Sequence, residues 1–369
     1  KAINLLKYQQ EAAEILHVKN EFDKNFLNTS LSQVEFNYSE IDFPNYYLNK
    51  LSKSIYIDVI LNSSFLQLKG KFGNFKSAEI IDGNSKIKYT INSNFFVFGC
   101  GCIENSRFLL LLQKKYKLLD QNIPIGKYWM GHFKTHFGEL LADFTKLKLL
   151  LNKNDYLKKG NTATIALNAN FIENNNLENA CVYLQPNQLS NTKFSEISKK
   201  LLCLAPEYFK HATQLFKKNL LCGTSLEIIW GQKSVEQNHI KLSEKKVDFL
   251  NIPEIEIVCN SFNEDLETPK KFMKQLGEYF VNENIGRLHF FNINKKDQIF
   301  WEGNHHIGGT NMGDNPKYSV INSDLKVHYT KNLYVIGSSI FSKSGHANPT
   351  FSIVQFSARL GEYFSKILT

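Results

Sequence analysis

Two polar clusters toward the C-terminal end hold the residue types best suited to chemistry. "HHIGGTNMG" (His305 to Gly313) sets two imidazoles just before a glycine pair, where the backbone can turn tightly and approach a ligand closely. "SGHANPTFSI" (Ser344 to Ile353) sets Asn348 before Pro349 at the entrance to a helical pattern. An imidazole can take a proton near neutral pH. A carboxamide can donate a hydrogen bond to a developing alkoxide without carrying charge. Together they suit the oxidation of an alcohol, and because no side chain accepts hydride, that chemistry implies a bound cofactor. On spacing alone the structural reading carries more weight: paired histidines are more often hydrogen-bonded fixtures than catalysts, and Asn-Pro is an ordinary turn.

The elements that must position these clusters are legible from periodicity. Ala2 to Val18 spaces apolar residues as an amphipathic helix does. Tyr56 to Gly70 alternates as a strand, with Ile57, Val59 and Leu61 on one face, and Ala78 to Ile91 reads as a hairpin around Asp82-Gly83-Asn84. Asn94 to Gln113 gives a buried strand, a turn with Gly99 and Gly101, and a helix, the order of a nucleotide-facing crossover. Strands are expected at Ala163 to Phe171, Ala180 to Pro186, "SLEIIWGQ" and Glu254 to Asn260. Helices are expected at Phe194 to Leu220, interrupted near Pro206, and at Asp265 to Ile285, with Pro269 in the first turn. A strand at Asn332 to Ser339 then returns the chain to the sheet, so that both polar clusters can lie at neighbouring strand ends. The closing stretch from Thr350 is helical.

Bulk composition narrows the classes. The 369 residues suffice for a substantial core, and 43% hydrophobic with 21% charged residues is ordinary for a globular chain. No apolar run approaches the roughly 18–20 residues of a membrane span. The net charge of +9 comes almost wholly from Lys, with Arg107, Arg287 and Arg359 the only arginines. Nucleic-acid readers depend on Arg forks, so the basicity reads as the residue usage of an AT-rich genome and no nucleic-acid partner is expected. Six scattered cysteines include no C-x-x-C pair and demand no disulfides, which favours a reducing, cytoplasmic setting; Cys100 and Cys102 read as small core residues. "HFKTH" (His132 to His136) has the spacing of a zinc helix but lacks the Glu of H-E-x-x-H and reads equally well as strand, so no metal is expected.

The C-terminal stretch closely resembles the signature of the glucose–methanol–choline (GMC) flavin oxidoreductases. The residues that carry it are His305, Gly308, Met312-Gly313, Asn315-Pro316, "SVINSDLKVH" from Ser319, "NLYV" from Asn332, "SSIF" from Ser338 and "NPTFSI" from Asn348. Upstream, "FVFGCGCIENSRFLLLL", "IGKYWMGH", "SVEQNHIKLSEKKVD" and the opening "LLKYQQEAAEIL" resemble further family stretches, strongly over 94–132 and 305–369 and loosely between.

The resemblance implies an α/β (α+β) fold in which a Rossmann-like FAD domain is interleaved with a substrate domain on a mostly antiparallel sheet flanked by helices. Residues 1–54 would be connecting or substrate-domain helices, 55–134 part of the FAD domain, 135–300 the substrate domain, and 301–369 the FAD domain's C-terminal part with the catalytic His and Asn. Carried over, His305 takes the catalytic base position and Asn348 its partner's; counting from Thr310 instead would select His306. Gly337 and Ser338 fall at the flavin pyrophosphate, Gly99 and Gly101 at the turn near the cofactor, Asn348, Pro349 and Thr350 beside the flavin, and Phe65 at the adenine. The implied activity is FAD-dependent oxidation of an alcohol, with the "HH" and "GHANPT" forms resembling bacterial members that act on sugars or polyols; the electron acceptor stays open. The departures are Gly337 for the usual Asp, Ser342 for Pro, Gly131 for Asp, and above all the lack of the opening strand–GxGxxG–helix, so the FAD domain is expected to be incomplete. That lack keeps an alternative in view: a non-catalytic truncated or split fragment that needs an N-terminal partner to bind FAD.

Overall fold

The computed structural model describes residues 5–20, 24–34, 36, 38–142, 164–186, 224–290 and 300–368. Eight of its strands form one antiparallel sheet: β1 (Lys24–Phe26), β2 (Leu31–Val34), β7 (Met130–Ala142), β8 (Thr164–Leu167), β9 (Ala180–Pro186), β10 (Thr224–Gly231), β13 (Gly286–Phe290) and β14 (Phe300–Ile307). Their order is β1-β2-β8-β9-β10-β7-β13, and β14 pairs with the early part of β7. The long β7 is therefore the spine, bordered by β10 on one side and by β14 and then β13 on the other. The helix at Glu267–Asn282 packs Phe272, Leu276 and Phe280 against Phe133, Phe137 and Trp230 of this sheet. Trp230 meets its polar need by donating its indole N–H to the Asp265 carbonyl at 2.8 Å.

A second core holds the nucleotide-type elements. β6 (Phe96–Phe98) and β15 (Leu333–Val335) run parallel in register, Tyr334 opposite Val97. The far edge of β15 is covered by the 325–327 segment, where Val335 N–H donates to the Leu325 carbonyl. α3 (Gly101–Leu110) follows β6, the three-stranded meander β3 (Ser63–Lys71), β4 (Asn74–Asp82) and β5 (Lys88–Asn92) precedes it, and α6 (Thr350–Leu368) closes the chain. Buried Phe75, Phe96, Phe98, Leu109, Val335 and Phe356 unite them. The hairpin β11 (His239–Val247) and β12 (Pro253–Val258) is joined to α3 through Arg107, whose guanidinium donates to Asp248 Oδ2 at 2.6 Å and to the Pro253 carbonyl at 2.9 Å.

Several expectations need correcting. The strand expected from Tyr56 begins only at Ser63; Ile57, Val59 and Leu61 are exposed, because no described strand pairs with that half and alternation alone buries nothing. The strand expected through Phe171 stops at Leu167. Asn168 side-chain bonds to Ser32 Oγ and the Asn28 carbonyl fix the break, and a short helix, Ala169–Asn175, follows. The strand expected to Ser339 ends at Val335. Cys102 is buried as expected, but Cys100 is exposed. "HFKTH" lies on β7, with His132 buried and His136 exposed. The helix expected at Phe194 to Leu220 lies outside the described residues.

Candidate active site

The two polar clusters meet through backbone. After β14 the chain turns at Gly308 and Gly309, with φ of 82° and 88°. A Cβ on Gly308 would stand 2.2 Å from the Tyr128 carbonyl oxygen, so both conformation and space exclude a side chain there. Beyond the turn, the N–H groups of Gly308, Thr310 and Met312 donate to the carbonyls of Ser338, Ser339 and Ile340 at 3.2, 3.0 and 2.8 Å. That ladder lays the segment following His305 and His306 along the turn that follows β15.

The β15 turn in turn abuts the start of α3. Gly337 has φ of 109°, and a Cβ there would come within 3.9 Å of the Gly101 Cα. Gly101 itself has φ of 80°, and a Cβ on it would meet nothing within 4 Å: the N-terminus of α3 faces open space. Gly99 and Gly101 are exposed. Asn105 stitches the two turns together, its amide donating to the Ile336 carbonyl at 2.8 Å and Ser339 Oγ at 3.0 Å while its oxygen accepts from Cys100 N–H at 2.9 Å. Free N–H groups and the helix dipole make this cradle favourable for a pyrophosphate, so the residues present fit that part of FAD. Phe65 packs beside it, its ring 5.2 Å from Phe98 and 4.8 Å from Phe108. Gly99, Gly101, Gly337, Ser338 and Phe65 thus gather at one end of the β6–β15 pair.

His305 and His306 are half-buried at the end of β14. The His306 ring lies 5.6 Å from Trp129, and burial, with a smaller repulsion from His305, lowers its basicity below the ordinary imidazole value. The His305 ring meets His132 of β7 edge to face, centroids 4.9 Å apart. His132 is 1% exposed and neither ring nitrogen has a hydrogen-bond partner. Burial, then the His305 neighbour, holds its imidazole down to about 4; the Gly345 backbone faces the ring, short of hydrogen-bond geometry, and opposes the shift.

Gly345 belongs to the second cluster. Its loop is held by Ser344 Oγ donating to the Gln232 carbonyl at 2.9 Å and by His346 against Asn179. Three residues on, Asn348 is exposed, and among the described residues its carboxamide has no hydrogen-bond partner. Pro349 is half-buried and Thr350 exposed; Ile353 N–H donates to the Pro349 carbonyl at 3.0 Å as α6 begins. A cleft of about 1100 Å³ opens beside this loop, lined by Ser32, Asn168, Asn179, Lys343 and His346 among others. Among the described residues no group of three His, Cys, Asp or Glu side chains could hold a metal ion, and no helix is long and apolar enough to cross a membrane.

The structure therefore brings His305, His306, Gly337 and Ser338 together by backbone, and links His305 to the Asn348 loop through His132. Two residues escaped the sequence reading. In the sequence, His132 figures only within the "IGKYWMGH" stretch and as half of a metal-like spacing, and neither assigns it a place beside His305. Asn105 was read only as part of a motif.

Residues 234–357 match the family profile described as GMC oxidoreductase. Among solved structures, pyridoxine 4-oxidase from Mesorbium loti superposes with a TM-score of 0.58 at 11% identity, covering 99% of this chain and 70% of that one. An FAD-dependent oxidoreductase from Chaetomium thermophilum gives 0.56 at 10% identity, covering 99% and 72%. A formate oxidase gives 0.52 at 11%, covering 98% and 70%. No curated protein sequence matches the chain. By sequence over residues 234–357, and by fold over nearly its whole length, the chain is similar to the GMC oxidoreductases.

Proposed function

We propose that this chain carries the catalytic portion of an FAD-dependent enzyme that oxidises a CH–OH group, with a sugar or polyol as the substrate. The observation that carries the reading is the backbone ladder between Gly308–Met312 and Ser338–Ile340, which sets the candidate base beside the glycine turns suited to a pyrophosphate. Gly99, Gly101, Gly337 and Ser338 would hold the phosphates, and Phe65 would flank the adenine. Bound FAD would supply the hydride acceptor that no side chain provides. His305 takes the substrate hydroxyl proton, with His306 beside it. Asn348, exposed and unpartnered, is free to donate to the substrate oxygen as negative charge develops there. The cleft beside the Ser344 loop offers Ser32, Asn168 and Asn179 as hydrogen-bonding groups, alongside Glu178, Lys343 and the apolar Leu177 and Phe171.

The test is anaerobic reduction of the FAD-loaded protein by a panel of sugars and simple alcohols, followed at the flavin absorbance. His305→Ala is expected to slow reduction by about 10²–10⁴-fold with FAD still bound; loss of FAD, or an unchanged rate, ends the base assignment. A second reading is favoured by the exposed side chains of Ile55, Tyr56, Ile60 and Leu61: this polypeptide alone holds FAD poorly and requires a partner polypeptide over that surface. Titrating FAD into the chain separates the two, since tight stoichiometric binding removes the second.

A further inference from the structure

His132 is an anomaly on energetic grounds. A buried polar atom without a partner costs about 1–3 kcal/mol, and both nitrogens of this ring are in that position. A phenylalanine would fill the same slot without that cost. The ring has two polar neighbours of note, and each belongs to a different half of the candidate site: the His305 ring, 4.9 Å away and edge to face, and the backbone of Gly345, three residues before Asn348. It also sits on the rigid spine, paired across β7 with β10 and β14, so it cannot drift with either loop.

We propose that His132 is a positioning residue: its ring buttresses His305 and fixes the orientation in which that imidazole meets the substrate. The role rests on reading His305 as the proton acceptor. His132 does not touch substrate and transfers no proton. Packing edge to face, it denies His305 the rotamers that would turn its ring into the space His132 fills, and an ordered base avoids the losses that follow from misplacement.

The first test needs no activity. With histidine rings isotopically labelled in the 369-residue chain, the His305 ring-proton resonances are expected to be displaced by the neighbouring His132 ring. His132→Leu, which fills the slot without a ring, is expected to abolish that displacement, and His132→Phe to keep it. In the FAD-loaded protein, His132→Leu is expected to lower the rate of flavin reduction at saturating substrate by on the order of 100-fold with KM little changed. His132→Phe is expected to recover most of that loss. Unmoved His305 resonances and an unchanged rate in His132→Leu overturn the proposal, as does a Phe variant as impaired as Leu. Should the Leu variant fail to fold, the Phe variant decides alone, since it must retain both the resonance displacement and the rate. If the resonances behave as expected while His305→Ala reduces flavin normally, the base assignment falls and the buttress stands.

Discussion

The Asn105 carboxamide donates to Ser339 Oγ at 3.0 Å across the gap between the α3 turn and the β15 turn. With its bonds to the Ile336 carbonyl and Cys100 N–H, it is fully buried and satisfied on both atoms. Asn105→Ala leaves three groups without partners and is expected to cost about 3 kcal/mol, read as a lower urea midpoint. Asn105→Asp is expected to be no better, because an acceptor would then face the Ile336 carbonyl.

Acid should weaken the fold through the histidines. His132 is held near 4 in the folded chain by burial, against 6.5 for the free group. Between these values the unfolded chain binds the proton and the folded chain does not, so stability is complete above about pH 6.5, falls as pH drops toward 4, and levels off below it. The shift corresponds to about 3 kcal/mol. Burial lowers His306 and His328 as well, which adds loss in the same direction. Denaturant melts between pH 4 and 7.5 should show this slope, and His132→Phe should flatten it while raising stability at neutral pH by about 1 kcal/mol or more.

Arg107 fastens α3 to the β11–β12 hairpin by a fork that a lysine cannot reproduce. Its nitrogens reach Asp248 Oδ2, the Pro253 and Ile252 carbonyls, and Glu104. Arg107→Lys keeps the charge yet is expected to cost about 2 kcal/mol. A double variant with Asp248→Asn should cost less than the sum of the singles, and additivity in thermal melts would show that the fork is not the cause.

Two glycines with the same sign of φ should respond differently. Gly308→Ala drives a Cβ into the Tyr128 carbonyl and is expected to cost more than about 4 kcal/mol, with the soluble folded yield falling accordingly. Gly101→Ala meets open space, so only the backbone conformation resists, by about 1–2 kcal/mol. The added methyl would stand where the cradle meets a phosphate, and weaker FAD binding in a folded protein is the expected signature. Unchanged affinity would place the pyrophosphate elsewhere.

Local patterns with a partner were legible in the sequence; those whose partner is remote were not. Phe96 and Phe98 before a glycine turn announced the β6–α3 crossover because burial and turn chemistry coincide there. Tyr56 to Leu61 shows the same alternation, yet no described strand pairs with it, and one sequence cannot report whether a neighbour exists. Ala169 to Phe171 continued the alternation of Leu167-Asn168, but the Asn168 side chain bonds to the β1–β2 turn and ends the strand. In the candidate site, His305 and Asn348 are expectations from residue type, order and resemblance. His132 did not, because a buried imidazole without a partner is a fact of packing that spacing does not encode.

The length of β7 has one more consequence. A single backbone carries His132 at one end, while the cleft is walled partly by β8 and β2, which join the sheet three and four strands away from it, respectively. Substitutions on those distant strands can reshape the cleft without disturbing the imidazole pair. The architecture thereby lets the wall of the cleft vary while the spine that carries His132 stays fixed.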